Sequence, residues 1–280
     1  MDAQIEGPMP GIPTAIVNRI RTRLQQVEAE HGVRILYACE SGSRGWGFES
    51  PDSDYDARFV YVHDLPWYLR VVPGRDVIEP SSDDLLDLSG WDLRKALALL
   101  QAGNAQLVEW LDSPIIYQAD PRFLDRLKGL LPSVHRTDRS FYHYMHMARR
   151  NYHQYIEGRD RVRLKKYLYV LRPVLAAIWI EQGRGPAPMP FQDLVSGLVT
   201  EPPLLGAIEY LLNQKRAGLE SEQAPPIPEI SAFLDQEFAR LGTVPMSKGP
   251  VPDPGFLDAL MLEAAMNWGP GQAYMEHPHP

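Results

Sequence analysis

The chain has 280 residues, enough for one large domain or two small ones with a substantial apolar core. Its formal charge of −8, from 28 basic and 36 acidic residues, argues against a protein that coats nucleic acid nonspecifically, although a local basic groove remains possible. No apolar run approaches the roughly 18 residues of a membrane span, and the first residues lack the pattern of a signal peptide, so we expect no membrane partner. Cys39 is the only cysteine, which excludes an internal disulfide framework and a cysteine-rich zinc site, and we expect no disulfide-linked partner. These properties together predict a cytoplasmic protein.

The first part of the chain has the pattern of a small α/β unit. Apolar residues recur at helical spacing up to Gly32, and the continuous apolar run that follows is typical of a buried strand. Two further runs predict strands, and we expect Gly90 to end the second of them. In chain order, the predicted elements are a helix over 13–32, a strand over 33–39, a strand over 54–63, a short helix or extended segment over 64–80, and a strand over 84–89.

The rest of the chain has a mostly helical pattern, interrupted by segments rich in Pro and Gly at 183–190 and 224–228. Pro173 lies inside one helical pattern and should kink or split that helix. The predicted helices cover 92–111, 139–157, 160–182, 203–216 and 228–241.

These elements predict an α+β fold in three parts. The first part combines strands and helices, the second is helical, and the third is rich in proline and has no clear periodicity. The predicted parts are a small mixed-sheet domain over 1–120, a helical domain over 121–245 and a loosely ordered tail over 246–280.

Two aspartates that follow a Gly-Ser turn form the most informative pattern. Asp54 and Asp56 are two residues apart in an extended run, so their side chains project from the same face. Adjacent carboxylates repel unless a cation lies between them, and Mg²⁺ prefers one or two carboxylates together with substrate phosphates. Gly42 and Ser43 supply a flexible turn, a hydroxyl donor and exposed backbone N–H groups, which suit a phosphate. The pattern therefore predicts a site for a metal-bound nucleoside triphosphate.

The same residues also allow simpler interpretations. Asp52 lies between a proline and a serine, which favours a solvated turn. Asp54 and Asp56 could form a solvated strand face, but the Gly-Ser turn ahead of them favours a site. Arg58, on the same face, either neutralises Asp56 in a salt bridge or contacts substrate. We interpret Trp46 as a packing residue rather than as a platform for a base.

The order and spacing of these motifs resemble a known superfamily. Gly-Ser, a gap of about ten residues and Asp-x-Asp in an apolar strand are similar to the signature of the DNA polymerase beta-like nucleotidyltransferases. The fuller strings GSRGWG over 42–47 and DSDYD over 52–56 resemble one branch, the RNA repair pathway DNA polymerase beta family. The resemblance covers roughly residues 35–240. Its later parts are at 90–97, 109–111, 113–114 and 165–173.

The resemblance implies metal-dependent transfer of a nucleoside monophosphate from an NTP to an acceptor hydroxyl, with release of pyrophosphate. By this resemblance, Asp54 and Asp56 would hold two Mg²⁺ or Mn²⁺ ions. Gly42, Ser43 and the neighbouring amides would hold the phosphates, with Arg44 as a cationic clamp.

The resemblance also implies a third carboxylate from a following strand. We select Asp87, because it lies in an apolar run just before Gly90. Asp84 is the alternative, and since the two lie on opposite faces of an extended chain, only one can serve.

A basic stretch of the predicted helical domain supplies candidates for contacts with the base, the phosphates or the acceptor. Lys165, Tyr169 and Arg172 are spaced to share one helix face. A solvated helix face is the simpler interpretation. The nucleotide-binding candidates in this domain are Lys165, Lys166, Tyr169 and Arg172.

The acceptor and two other functions stay open. The acceptor hydroxyl could belong to an RNA 3′ end, a protein side chain or a small molecule. A degenerate nucleotide-binding regulatory module is possible if the third carboxylate does not reach the aspartate pair. A metal-dependent glycosyltransferase also uses Asp-x-Asp, but it would not need the Gly-Ser turn and usually has more βα structure ahead of the motif.

Overall fold

A computed structural model describes residues 9, 11–80, 85–219, 223–248 and 251–270. Helices dominate, and the strands of the first half form the main sheet. In chain order, the elements are α1 Thr14–His31, β1 Arg34–Glu40, α2 Gly42–Gly45, β2 Tyr55–Val62, α3 Leu65–Tyr68, β3 Val77–Ile78, β4 Leu86–Asp92, α4 Leu93–Gln101, α5 Gln106–Leu111, β5 Ile116–Ala119, α6 Pro121–Val134, α7 Thr137–Tyr155, β6 Val162–Arg163, α8 Leu164–Glu181, α9 Phe191–Leu198, α10 Pro202–Arg216, β7 Gln223–Ala224, α11 Pro228–Leu241 and α12 Gly255–Asn267.

Five strands form one mixed sheet in the order β3-β4-β2-β1-β5. β2 runs parallel to β4, whereas the other neighbouring pairs are antiparallel. Because strand side chains alternate between two faces, β1 and β2 contribute to two apolar clusters. α1 covers one face of the sheet, and α4, α5, α6 and α12 cover the other. The α+β fold class that the sequence predicts is confirmed.

The helical unit is organised around α8, against which α7, α9, α10 and α11 pack. α8 runs without a break from Leu164 to Glu181, so Pro173 does not split it. Proline has no N–H to donate to the carbonyl four residues earlier. That carbonyl, of Tyr169, instead accepts a hydrogen bond of 3.1 Å from Nδ2 of Asn151 on α7.

Two predicted element boundaries are wrong. Gly90 lies inside β4 instead of ending it, because the ring of Phe59 fills the space beside its Cα: a Cβ at Gly90 would lie 2.0 Å from Phe59 Cε2. The helix predicted over 92–111 is divided into α4 and α5. Gly103 adopts a left-handed conformation between them, with φ of 86°.

The C-terminal region differs from the loosely ordered tail that the sequence predicts over 246–280. Helix α12 packs against α4 and α6, with Leu257, Leu260 and Trp268 buried. α6, which the predicted boundary assigns to the helical domain, likewise packs against the sheet. Residues 271–280 lie outside the described residues. Among the described residues, no helix combines the length and the apolar composition that crossing a bilayer requires.

Candidate active site

A cleft of about 490 Å³ lies between the strands and the helical unit. One side, which we call the sheet wall, consists of Ser41, Gly42, Ser43, Trp46, Asp52, Ser53, Asp54, Asp56 and Arg58. The opposite side, the helix wall, consists of Met147, Asn151, Lys165, Leu168, Tyr169, Arg172, Pro173 and Lys215. Gln106 of α5 completes the lining. The cleft therefore brings together motifs that are more than 100 residues apart in the sequence.

The Gly-Ser turn lies directly against the second aspartate. The backbone N–H of Ser41 donates to the carbonyl of Asp56 at 2.9 Å, which joins the turn to β2. Gly42 has φ of 54°, and a Cβ there would lie 1.8 Å from Oδ2 of Asp56. Both the backbone conformation and the close approach thus require glycine at 42. The predicted phosphate-binding turn and the predicted metal-binding carboxylate are immediate neighbours.

Asp56 and Asp54 differ in their surroundings. Asp54 is exposed just before β2, whereas Asp56 is half-buried at the start of the strand. Burial raises the pKa of Asp56; the nearby Arg58 opposes this shift, while the negative charges of Asp87 and Asp54 add to it. A cation bound in the cleft would therefore stabilise the charged form of the Asp56 carboxylate.

Asp87 lies beside Asp56 in the neighbouring parallel strand, since the two residues are partners in the β2–β4 register. Arg58 bridges them: its Nη2 donates to Oδ1 of Asp56 at 2.9 Å and to Oδ2 of Asp87 at 2.7 Å. The salt bridge predicted between Arg58 and Asp56 is present, and Arg58 also lines the cleft. The alternative third carboxylate, Asp84, lies outside the described residues.

The donor chemistry of the sheet wall fits a hard divalent cation. Asp54 and Asp56 both line the cleft and offer carboxylate oxygens. Within the described residues, no group of three acidic, His or Cys side chains is placed to hold a metal ion. Arg58 already occupies the space between Asp56 and Asp87. The residues therefore fit a Mg²⁺ ion that takes its remaining ligands from phosphates and water.

Arg44, the predicted phosphate clamp, is engaged with the backbone around the aspartates. Its Nη2 donates to the carbonyl of Ser53 at 2.8 Å, and its Nε donates to that of Asp54 at 3.2 Å. Its guanidinium lies 3.9 Å from the centre of the Tyr55 ring. These contacts fix the approach to β2, and Arg44 does not line the cleft.

Three of the four candidates on α8 line the cleft, namely Lys165, Tyr169 and Arg172. Lys166 instead places its Nζ 3.8 Å from the centre of the Tyr155 ring and 5.2 Å from that of Tyr169. This cation–π contact stabilises the position of Tyr169 in the helix wall.

Arg172 is almost fully buried, with 3% of its surface exposed. Its Nη1 donates to Oε1 of Glu109 at 3.0 Å, and its Nε and Nη2 donate to the carbonyl of Met189. The guanidinium also lies 4.8 Å from the centre of the Trp46 ring. Arg172 therefore joins the helix wall to α5 and to the sheet wall.

Sequence reasoning did not find several residues of the site. Glu40 is fully buried at the end of β1, where it accepts hydrogen bonds from the Asp56 N–H at 2.9 Å and from the Tyr117 hydroxyl at 2.5 Å. Burial raises its pKa to about 7, against the opposing effect of those two donors. The position of Glu40 just before the Gly-Ser turn is the sequence signal that could have identified it. Asn151 and Lys215 carried no local signal, because only packing brings them to the cleft.

Comparison with known proteins assigns the chain to a family. The model of the RNA repair pathway DNA polymerase beta family matches residues 16–261. The chain belongs to this family and is thus a nucleotidyltransferase, so its Asp-x-Asp pair does not mark a glycosyltransferase.

Two similar proteins cover most of the chain. It is 46% identical over 223 residues to "Uncharacterized protein YcgL" of Bacillus subtilis (strain 168), an alignment that covers 80% of this chain and 85% of the relative. The crystal structure of a nucleotidyltransferase-like protein from Exiguobacterium sibiricum 255-15 is 12% identical, with 87% of each chain covered and a TM-score of 0.29. That structural likeness is too weak to support an argument.

Proposed function

We propose that this nucleotidyltransferase transfers a nucleoside monophosphate from an NTP to an acceptor hydroxyl and releases pyrophosphate. One observation carries the proposal: the Gly42–Ser43 turn and the Asp54–Asp56 pair line the same cleft, with Gly42 against the Asp56 carboxylate. A turn suited to phosphate and carboxylates suited to a metal thus face a single ligand. A metal-bound triphosphate combines both chemistries.

The sheet wall carries the reaction in this proposal. Asp54 and Asp56 would hold Mg²⁺ or Mn²⁺, which would supply positive charge for activating the acceptor oxygen and neutralising the triphosphate. The Ser43 hydroxyl and the amides of the turn hold the phosphates that leave as pyrophosphate. Asp87 is the proposed third carboxylate: it is the partner of Asp56 in the strand register, although it does not line the cleft and its carboxylate is paired with Arg58.

The helix wall supplies positive charge and holds the nucleotide in place. Lys165 and Lys215 line it opposite the aspartates, and we assign both to the triphosphate. Tyr169 offers its ring beside them. Arg172 also belongs to the helix wall, and its ion pair with Glu109 stabilises the position of that wall.

We assign an RNA 3′ end as the acceptor. The family supports it, and so does a group of exposed arginines around the α7–α8 connection, next to cleft residues Asn151 and Lys165. Phosphodiesters bind such cations. The exposed arginines are Arg149, Arg150, Arg159, Arg161 and Arg163.

The test is transfer of label from each α-³²P-labelled NTP, with Mg²⁺ or Mn²⁺, to RNA, to a protein lysate or to no added acceptor. Asp56→Asn should reduce transfer by about 10³-fold or more, because a bound metal is worth several kcal/mol of transition-state stabilisation. Asp52→Asn is the matched control, since Asp52 lines the same cleft but has no assigned role. Asp87→Asn should also lower transfer strongly if Asp87 is the third carboxylate.

The outcomes separate the alternatives. Label on RNA that depends on Asp56 supports the proposal and its acceptor, whereas label on protein alone replaces the acceptor. Metal-dependent NTP binding without transfer to any acceptor favours a degenerate nucleotide-binding module. Full transfer by Asp56→Asn contradicts the proposed mechanism.

A further inference from the structure

The helix wall contains an amide whose orientation is fixed by a proline. Pro173 leaves the carbonyl of Tyr169 without its helical donor, and Nδ2 of Asn151 takes that place at 3.1 Å. All three residues line the cleft. The hydrogen bond therefore lies in the wall that faces the ligand.

This contact decides which way the Asn151 amide points. A backbone carbonyl only accepts hydrogen bonds, so the NH₂ group of the amide must face it and Oδ1 must point elsewhere. Within the described residues, Oδ1 of Asn151 accepts no hydrogen bond. The helix wall thus carries a fixed acceptor that is open to a donor from a ligand.

The position of this acceptor suits the nucleobase. In the proposed function the turn and the aspartates hold the phosphates from the sheet wall, with Lys165 and Lys215 facing them, and we place the base against the remaining part of the helix wall. Met147, Leu168 and Tyr169 line the same wall as Asn151 and contribute apolar and aromatic side chains. Nucleotide pockets combine such surfaces for the ring with a few oriented polar groups for its edge.

We propose that Asn151 selects adenine nucleotides by accepting a hydrogen bond from the 6-amino group of the base. A 6-oxo group at the same place would put its oxygen against Oδ1 of Asn151. Two acceptors would then face each other without the water that hydrates each of them in solution. Asn151 is a specificity-determining residue in this assignment, and Pro173 is a positioning residue that acts through Tyr169. The inference rests on the proposed function, because it takes the site to hold an NTP.

ATP and inosine triphosphate test the inference, since inosine triphosphate carries a 6-oxo group in place of the 6-amino group. Binding of each to the full chain with Mg²⁺ and no acceptor is measured by isothermal titration calorimetry. We expect ATP to bind about tenfold more tightly, the upper range for one neutral hydrogen bond. Asn151→Leu should abolish this preference. Gln154→Leu, the same change at an exposed site on α7 outside the cleft, should keep it.

Pro173→Ala separates orientation from simple packing. It returns a backbone N–H to the Tyr169 carbonyl, which then competes with Nδ2 of Asn151 for that acceptor, while alanine favours the helix. We expect the ATP preference to fall with no loss of thermal stability, a combination that a purely structural role would not produce. If Asn151→Leu does not fold, this variant still tests whether the amide of Asn151 sets the ATP preference.

Each outcome has a defined meaning. Equal affinity of the wild type for the two nucleotides overturns this inference but leaves the proposed function standing. An ATP preference that survives Asn151→Leu overturns it as well, and one that survives Pro173→Ala overturns the positioning role of Pro173. Failure of the wild type to bind either nucleotide overturns the proposed function and this inference together.

Discussion

The two walls of the cleft are built in different ways. The sheet wall comes from one continuous stretch, and its geometry is set by the backbone of β1, the turn and β2. The helix wall comes from α7, α8 and α10, and side chains hold it in place: Asn151 on the Tyr169 carbonyl and Arg172 on Glu109. The sheet wall is therefore sensitive to changes of backbone conformation, and the helix wall to loss of buried polar contacts.

The largest expected effect on folding falls on the helix wall. Arg172→Met leaves Glu109 as a poorly solvated carboxylate without its cation, which should lower the free energy of unfolding by about 3–5 kcal/mol. Chemical denaturation measures the loss. The double variant Arg172→Met/Glu109→Gln should recover much of it, because the uncompensated charge is gone. A double variant as unstable as the single one would show that the loss does not come from the ion pair between α8 and α5.

A smaller loss of stability but a large loss of activity is expected on the sheet wall. Gly42→Ala combines an unfavourable φ of 54° with overlap on the Asp56 carboxylate, so it should cost about 1–3 kcal/mol and displace that carboxylate. Gly47→Ala is a matched control: φ is 78°, but a Cβ there meets no atom within 4 Å. Measurements of nucleotidyl transfer and of thermal unfolding distinguish Gly42→Ala from Gly47→Ala. Equal activity of both variants would mean that the contact with Asp56 is unimportant.

The smallest expected effect concerns the far end of β2, outside the cleft. His63 is buried, with its ring stacked on Trp67 at 3.8 Å between centroids, and burial lowers its pKa to about 4. The unfolded chain protonates His63 near its ordinary value of 6.5, before the folded chain does. The free energy of unfolding should therefore fall as the pH drops from 6.5 toward 4.

His63→Phe should remove this part of the acid sensitivity and leave nucleotide binding unchanged. Thermal unfolding at several pH values between 4 and 7 measures the slope, with binding of ATP as the companion measurement. An unchanged slope would show that His63 does not contribute to it. A change in nucleotide affinity would extend the functional part of β2 beyond its first residues.

Parts of the fold could be predicted because they depend on local patterns. The apolar periodicity of α1 and the apolar runs of β1 and β2 predicted these elements within a residue or two. Gly90 was misinterpreted because a glycine in a strand also serves to admit a neighbouring ring, in this case Phe59. α12 was missed because prolines and glycines on both sides obscure its apolar residues, which become informative only through contact with α4 and α6.

The same distinction between local patterns and tertiary contacts applies to the residues of the candidate site. Gly42, Ser43, Asp54 and Asp56, which line one cleft, were predicted from the sequence alone, since strand periodicity and turn chemistry act over a few residues. Arg44 was recognised as a nearby cation, but only the fold shows its donors directed to the carbonyls of the same loop.

The sequence by itself determined the motifs of the candidate site, a Gly-Ser turn and two carboxylates on one strand face, and membership of a nucleotidyltransferase family. Only the tertiary structure decided what surrounds that chemistry. It placed Asp87 beside Asp56, committed Arg172 to Glu109 and brought Asn151 to the cleft. The physical reason is distance along the chain: local patterns fix backbone conformation over a few residues, whereas partners from different elements meet only when their apolar faces pack.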